Sequence, residues 1–250
     1  MNFNFTFSGW DLLLLVSVSL MGTAVAYLHH PKWKNLILCL PIPFTVASLS
    51  LGQGVDSIHV LGTLMLILYT NGVRWLYLNA GLPILLSIVL AAGSYAVLGA
   101  VLVGVVPRTE TAFWGLAVSL FLLSLLLVRV MPHRQEPGHR TSLPIWVKLP
   151  VIIGVVLFLI ISKKMLQGFM TMFPMVGLLA AYEGRHSLWT MCRAMTIFPL
   201  WMIPMMVTIY VTQSRIGFGP ALVLGWLVYL SLMIPFTLRH WRQTEQVELP

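Results

Sequence analysis

Residues 165–186 read MLQGFMTMFPMVGLLAAYEGRH, and this stretch decides the class of fold. Its first eighteen residues, 165–182, carry no charged side chain, and a helix needs roughly 20 mostly apolar residues to cross a bilayer. The run then ends in a polar cluster, YEGRH at 182–186. We therefore predict a membrane-spanning helix with a charged end.

Similar apolar runs fill the rest of the chain. Of its 250 residues, 58% are hydrophobic and only 9% are charged, and the mean hydropathy is +0.90. This composition is typical of a multi-pass helical membrane protein, whose main partner is the lipid bilayer. The net charge of +8 does not indicate nucleic acid binding, because the Lys and Arg residues lie mainly between apolar runs, where they set topology.

The apolar runs predict an all-α membrane protein with about nine transmembrane helices. Seven Lys and Arg residues fall on one side of the predicted spans and four on the other, which favours an N-terminus outside and a cytoplasmic C-terminus. The predicted spans are 10–28, 35–53, 57–78, 82–106, 112–130, 144–162, 165–183, 188–211 and 216–237. The cytoplasmic cations are Lys32, Lys34, Arg134, Arg140, Arg185, Arg239 and Arg242, against Arg108, Lys163, Lys164 and Arg215 outside.

The spacing of the spans indicates an internal duplication. Spans one to four recur as spans six to nine, so that Lys32 matches Lys163 and Pro43 matches Pro174 at an offset of 131 residues. One intervening helix would give the two units opposite orientations, the inverted repeat that recurs in secondary transporters. An ordinary bundle with an accidental rhythm is the alternative. The predicted units are 1–107, a linker helix and loop at 108–143, 144–238, and a cytoplasmic tail at 239–250.

Short apolar motifs in the carboxy-terminal half carry a family resemblance. They are Phe173-Pro174, the stretch to Ala180 and Tyr182, Arg193-Ala194, Phe198, Trp201, Ile203 and Tyr210. On these residues, the region 150–237 resembles the GlpM-type bacterial inner-membrane proteins of about four spans. Ala181 stands where that pattern has a histidine, and Glu183 where it has an apolar residue. The resemblance implies a duplicated four-helix unit in the bacterial inner membrane, and a protein partner in envelope polysaccharide production.

Two acid–histidine pairs are the candidate gates. Asp56 and His59 are three residues apart, as are Glu183 and His186, and on a helix such side chains share a face. A histidine titrates near pH 6.5, and a partly desolvated carboxylate can approach that range, so each pair could hold or relay a proton. We predict proton-coupled gates at these positions; solvated helix ends without a role are the alternative.

Four further polar residues are candidates for binding solute or for pairing with the acids. Arg193 is expected more than one turn inside its span, where a guanidinium needs a partner or a water-filled cavity. Arg185 lies beside Glu183, and Arg74 with Asn71 forms a polar stripe in the third span. Snorkelling of the arginine and simple helix packing are the alternatives.

Pro43 and Pro174 are predicted to break their helices and to expose backbone carbonyls to a solute, although kinked packing without binding is the alternative. We predict no metal site and no cofactor. Glu-x-x-His is a spacing of di-iron bundles, but the chain lacks the additional acids, and the inverted topology places the two pairs at opposite faces.

These features favour an integral membrane secondary transporter of a small polar or anionic solute, coupled to protons. The first alternative is a non-catalytic accessory or assembly subunit of an envelope polysaccharide or lipid pathway. The second is an intramembrane lipid-modifying enzyme, in which Glu183, Arg185 and His186 would recognise a phosphate and move a proton.

Overall fold

A computed structural model describes residues 8–131, 134, 136 and 144–247, and in these residues the chain forms helices and no strand. The helices are α1 Gly9–Tyr27, α2 Pro31–Leu38, α3 Ile42–Leu51, α4 Ser57–Leu78, α5 Ile84–Val105, α6 Glu110–Val130, α7 Ile145–Leu166, α8 Gly168–Met172, α9 Met175–Glu183, α10 Leu188–Ile197, α11 Pro199–Ile216 and α12 Phe218–Val247. The all-α class predicted from the sequence is confirmed.

Six helical segments of the described chain are long and apolar enough to cross a membrane. They are Gly9–Tyr27, Trp33–Leu51, Ile84–Val105, Glu110–Val130, Leu188–Ile216 and Phe218–Arg239. Their outward faces carry large apolar side chains, including Val89 and Val105, which are 65% and 72% exposed. Such surfaces suit lipid and not water, so the helices are those of a multi-pass membrane protein. The number of nine spans and the internal repeat stay predictions.

Prolines interrupt three of the long apolar stretches. Pro41 precedes α3, Pro174 precedes α9 and Pro199 begins α11. A proline has no N–H to donate, and its ring clashes with the preceding helical turn, so each interruption has a local cause. The first break lies at Pro41 and not at Pro43, which occupies the first turn of α3.

The core consists of two apolar clusters. In the first, α1 packs against α3, α7 and α9, and α4 packs against α5 and α8. In the second, α11 and α12 form a hairpin that packs on α6 and α10. Helix α4 contributes side chains to both clusters and therefore joins them.

The polar contacts gather at two opposite ends of the bundle. Helix α4 and the α8–α9 pair run in the same direction, because His59 lies beside Gly168 near their beginnings and Tyr69 donates to the Gly177 carbonyl farther along. What we call the Asp56 end contains Asp11, Ser50, Asp56, Arg108 and Gln213. What we call the Glu183 end contains Tyr27, Lys34, Lys148 and Glu183.

Candidate functional site: a buried charge cluster and two broken helices

Glu183 is the last residue of α9, and its side chain is fully buried. The Lys148 Nζ atom, from the beginning of α7, lies 2.7 Å from Glu183 Oε1. Lys148 is itself only 4% exposed, and it also donates to the Ala26 carbonyl at 3.5 Å. Lys34, from α2, donates to the main-chain carbonyl of Glu183 at 3.5 Å. The site therefore contains a buried ion pair and a second buried ammonium group.

The cluster has a physical reason to form where four helix ends meet. The last carbonyls of a helix have no partner within the helix and carry its negative partial charge, so a cation is favourable beside them. Lys148 contacts such a carbonyl at the end of α1, and Lys34 contacts one at the end of α9. Removing ions from water costs several kcal/mol each, so these contacts offset a large desolvation cost.

The sequence predicts Glu183 and His186 on one helix face, whereas the helix ends between them, and their role as a gate stays a prediction. Helix α9 ends at Glu183, and His186 lies in the turn that follows it. The imidazole is exposed whereas the carboxylate is fully buried. A close charged partner of Glu183 is Lys148, which the sequence analysis missed. A lysine within the apolar run of α7 was the available signal.

The Arg185 side chain contacts a residue of its own turn. Its Nη1 atom donates to the Tyr182 carbonyl at 3.3 Å, and its guanidinium carbon lies 5.3 Å from the centre of the Tyr182 ring. The side chain is half-buried. Arg185 therefore adds a positive charge to the Glu183 end of the bundle.

Arg193 and Arg74 contact partners other than the predicted acid. Arg193 Nη1 donates to the Met131 carbonyl at 2.6 Å, which satisfies the end of α6. The Arg74 guanidinium lies over the Trp189 ring, 4.4 Å from its centre, and Asn71 donates to the Ile67 carbonyl of its own helix at 3.0 Å. The two arginine contacts join different helices, whereas the Asn71 contact lies within α4. The predicted role of these residues in solute binding stays a prediction.

Glu136 is a structural residue that sequence reasoning missed. Its carboxylate accepts from the Thr190 amide at 2.6 Å, the Thr190 hydroxyl at 2.7 Å and the Trp189 amide at 3.3 Å. These amides belong to the first turn of α10, where unpaired N–H groups and the helix dipole favour an anion. Glu136 lies more than fifty residues earlier in the chain, so no local pattern could have predicted this cap.

Asp56 and His59 are brought together as their spacing predicted. Asp56 caps α4 and accepts from the Ile58 amide at 3.0 Å, and its Oδ1 atom lies 2.8 Å from His59 Nδ1. Arg108 approaches the other carboxylate oxygen at 3.6 Å. The His59 ring is 1% exposed, and its Nε2 atom has no hydrogen-bond partner among the described residues.

The environment of Asp56 opposes a role as proton acceptor near neutral pH. Burial raises the pKa of this carboxyl, but the hydrogen bonds and charge of His59 and the charge of Arg108 outweigh burial, and the pKa is lowered overall. The shift is away from the range of histidine. Asp56 is therefore a helix cap and a fixed negative charge.

The two proline breaks face one small cavity inside the bundle. Its volume is about 60 Å³, enough for a few water molecules. Pro41 and Phe44 line it from the first break, and Pro174 and Gly177 line it from the second. The Thr70 side chain of α4 also lines the cavity. Such a cavity combines irregular backbone with room for a small polar species.

The carbonyl of Cys39, at the first break, accepts a hydrogen bond from the Tyr229 hydroxyl of α12. Near the second break, the Phe169 carbonyl accepts from the Tyr95 hydroxyl at 2.9 Å. Both donors are fully buried. Tyrosine hydroxyls therefore satisfy backbone groups that the interrupted helices would leave unpaired in lipid.

Among the described residues, no three His, Cys, Asp or Glu side chains are placed to hold a metal ion. Comparison with protein-family models, with curated proteins and with solved structures gives no match for this chain.

Proposed function

We propose that this chain is a nine-span secondary transporter of a small polar or anionic solute, coupled to protons. One observation carries the proposal: the breaks before α3 and before α9 line the same cavity. Secondary transporters commonly bind solute between discontinuous helices near the middle of the bilayer, because interrupted backbone offers polar groups there.

The placement of the breaks supports the proposed inverted repeat. Pro41 and Pro174 precede α3 and α9, and their separation of 133 residues is close to the offset of 131 between Lys32 and Lys163. Helix α2 packs on α9 and α3 packs on α8, as expected if the two broken segments lie side by side in opposite directions. Each broken segment would belong to one four-helix unit, of which the second resembles GlpM-type proteins.

The buried ion pair supports a proton-linked gate. Protonation of Glu183 would remove its charge and weaken its attraction to Lys148, which joins the end of α9 to α7 and α1. Loss of one charge from a buried pair is strongly unfavourable for the remaining charge, so the four helix ends would separate more easily. At the opposite end, Arg108 contacts both Asp56 and Gln167 and holds that side closed.

A liposome assay tests the proposal. The purified chain is reconstituted with a pH-sensitive dye inside, and inorganic phosphate, succinate or glutamate is added outside. We expect at least one of these anions to enter together with protons, and Glu183→Gln to abolish the accompanying pH change. Glu110→Gln is the matched control, because Glu110 is an exposed carboxylate at the start of α6.

Two results would contradict the proposal. If none of the three anions enters although the protein is folded, this solute class is wrong. If Glu183→Gln couples anion and proton movement as the native chain does, Glu183 is not the gate.

A non-catalytic accessory subunit is the second candidate, and helix α12 favours it. The apolar run of α12 ends before Arg239, and the helix continues through a mostly polar sequence to Val247. Eight more residues extend a helix by about 12 Å, far enough to reach a partner beyond the lipid surface. Deletion after Arg239 distinguishes the two candidates, since a transporter keeps its flux and an accessory subunit loses its co-purifying partner.

A further inference from the structure

A lateral groove lies between α5 and α7. Its volume is about 760 Å³, within the range of roughly 300–1,000 Å³ typical of ligand sites. The groove is lined almost entirely by apolar side chains, such as Val89 of α5, Val151 and Phe158 of α7, and Leu178 of α9. This groove adjoins the cavity at the helix breaks, because Phe173 and Met175 line both.

The length of the groove matches one leaflet of a bilayer. On α7 its lining extends from Val147 to Phe158, and eleven steps of about 1.5 Å give about 16 Å. On α5 it extends from Leu85 to Ala96, over the same number of residues. The hydrocarbon core of a bilayer is roughly 30 Å thick, so the groove reaches from one surface to the middle.

Two glycines keep the groove open. Gly93 of α5 and Gly154 of α7 both line it, and a Cβ atom added at either position would meet no other atom within 4 Å. Larger side chains would therefore fill the groove without forcing the helices apart. This property makes both positions suitable for blocking experiments.

Positive charge collects at the surface end of the groove. Lys148 and Tyr182 line that end, Arg185 stacks near the Tyr182 ring, and Lys34 lies behind them at Glu183. Among these described residues, three cations surround the Glu183 carboxylate, so positive charge exceeds negative charge. An apolar groove with positive charge at its surface end matches a lipid whose acyl chain carries a negative headgroup.

We propose that the groove binds an anionic membrane phospholipid, with one acyl chain between α5 and α7 and its phosphate near Lys148 and Arg185. The phospholipid is favoured over a second copy of the chain, because the lining has the length of one leaflet and Lys148, the charged residue among the described lining, lies at its surface end. Lipid binding at this groove requires no transport activity of the chain.

Native mass spectrometry of the full chain, released from detergent micelles with added phosphatidylglycerol or phosphatidylcholine, tests this site. We expect one bound phosphatidylglycerol per chain, with weaker binding of phosphatidylcholine. Gly154→Leu and Gly93→Leu should remove the bound lipid. Gly115→Leu on α6 should retain it, because Gly115 lies outside the groove lining and an added Cβ there also meets nothing within 4 Å.

The charge of the site is tested with Arg185→Gln, since removal of Lys148 would leave Glu183 without its ion-pair partner. Loss of one cation near a lipid phosphate should weaken phosphatidylglycerol binding about fivefold, which corresponds to roughly 1 kcal/mol. Phosphatidylcholine binding should be unchanged.

Equal binding of the two lipids would overturn the proposal, as would lipid that remains bound in both groove-filling variants. A chain dimer that the same two variants dissociate would show that a second copy, and not a lipid, covers the groove.

Discussion

At the level of single side chains, the stability of the fold should be most sensitive to changes in the buried ion pair of Glu183 and Lys148. Both are buried, and they lie on helices that meet only through tertiary packing. Such a pair stabilises a fold weakly compared with apolar packing, but the loss of one member is severe because the other charge remains in low dielectric. For the same reason, protonation of Glu183 would have a large effect on the contacts between these helices.

Glu183→Gln should lower the free energy of unfolding by about 3–5 kcal/mol, because it leaves the buried Lys148 and Lys34 ammonium groups without the carboxylate. Lys148→Met should cost less, because Lys34 remains beside Glu183. The loss of unfolding free energy in the double variant should be smaller than the sum of the losses in the two single variants. Denaturant unfolding in detergent, followed by circular dichroism, measures this coupling. Additive effects would mean that the 2.7 Å contact contributes no coupling energy.

Asp56 gives a pH-dependent prediction. Its pKa is lowered in the folded chain, so its stabilisation is complete above the ordinary value of about 3.9 and is lost as the pH falls through the folded value. Asp56→Asn should therefore cost roughly 1 kcal/mol at pH 5, the scale of a charge-assisted hydrogen bond, and progressively less in stronger acid. Thermal unfolding midpoints of both chains across this range measure the difference.

Arg108→Gln serves as the control for this effect, because it removes one of the charges that lower the pKa of Asp56. Arg108→Gln should also be less stable than the native chain at pH 5, by a smaller amount than Asp56→Asn, and this difference should shrink in stronger acid. The assigned ionisation of Asp56 would be contradicted if the unfolding midpoints of Asp56→Asn and the native chain differ by a constant amount down to the strongest acid.

At the level of helices, prolines account for three interruptions of the long apolar stretches. The breaks before α3 and α9 lie at or near prolines that were identified from the sequence, because proline acts on its own backbone. The exact position was harder to predict, since Pro43 fits within the first turn of α3, where no internal N–H donor is needed. The meeting of the two breaks at one cavity required the packing of α2 and α3 on α8 and α9.

The start of α10 should depend on a carboxylate from a distant loop. Glu136→Ala should lower the free energy of unfolding by about 1 kcal/mol, because the Trp189 and Thr190 amides lose their acceptor. Glu136→Gln should have a smaller effect, since an amide oxygen can still accept. Denaturant unfolding measures both variants.

Glu110→Ala is the comparison for the Glu136 cap, as it removes an exposed carboxylate from the first turn of α6 and should change stability by less than about 0.5 kcal/mol. Equal costs for Glu110→Ala and Glu136→Ala would contradict a specific role of Glu136 as the α10 cap.

On the scale of the whole molecule, the two polar ends should lie on opposite sides of the membrane. Gln53, near the Asp56 end, and Ala80, between α4 and α5, are both exposed, whereas the native Cys39 and Cys192 are buried. With the N-terminus outside, Gln53→Cys should react with a membrane-impermeant maleimide in intact spheroplasts. Ala80→Cys should react only after lysis.

Two other labelling patterns are informative about this topology. Reaction of both introduced cysteines in intact spheroplasts would contradict their placement on opposite sides. The reversed pattern would contradict the orientation predicted from the distribution of lysine and arginine. The chain with neither introduced cysteine provides the background.

The sequence by itself determined the all-α membrane class, because apolar length and composition reflect the hydrocarbon that each helix must match. It also determined features that act within a few residues, such as the Asp56–His59 contact. Only the tertiary structure decided that Lys148 pairs with Glu183 and that α5 and α7 leave a groove open. The physical reason is that helices buried in lipid present similar apolar faces all round, so their rotation and neighbours are set by packing and by a few polar contacts between distant segments.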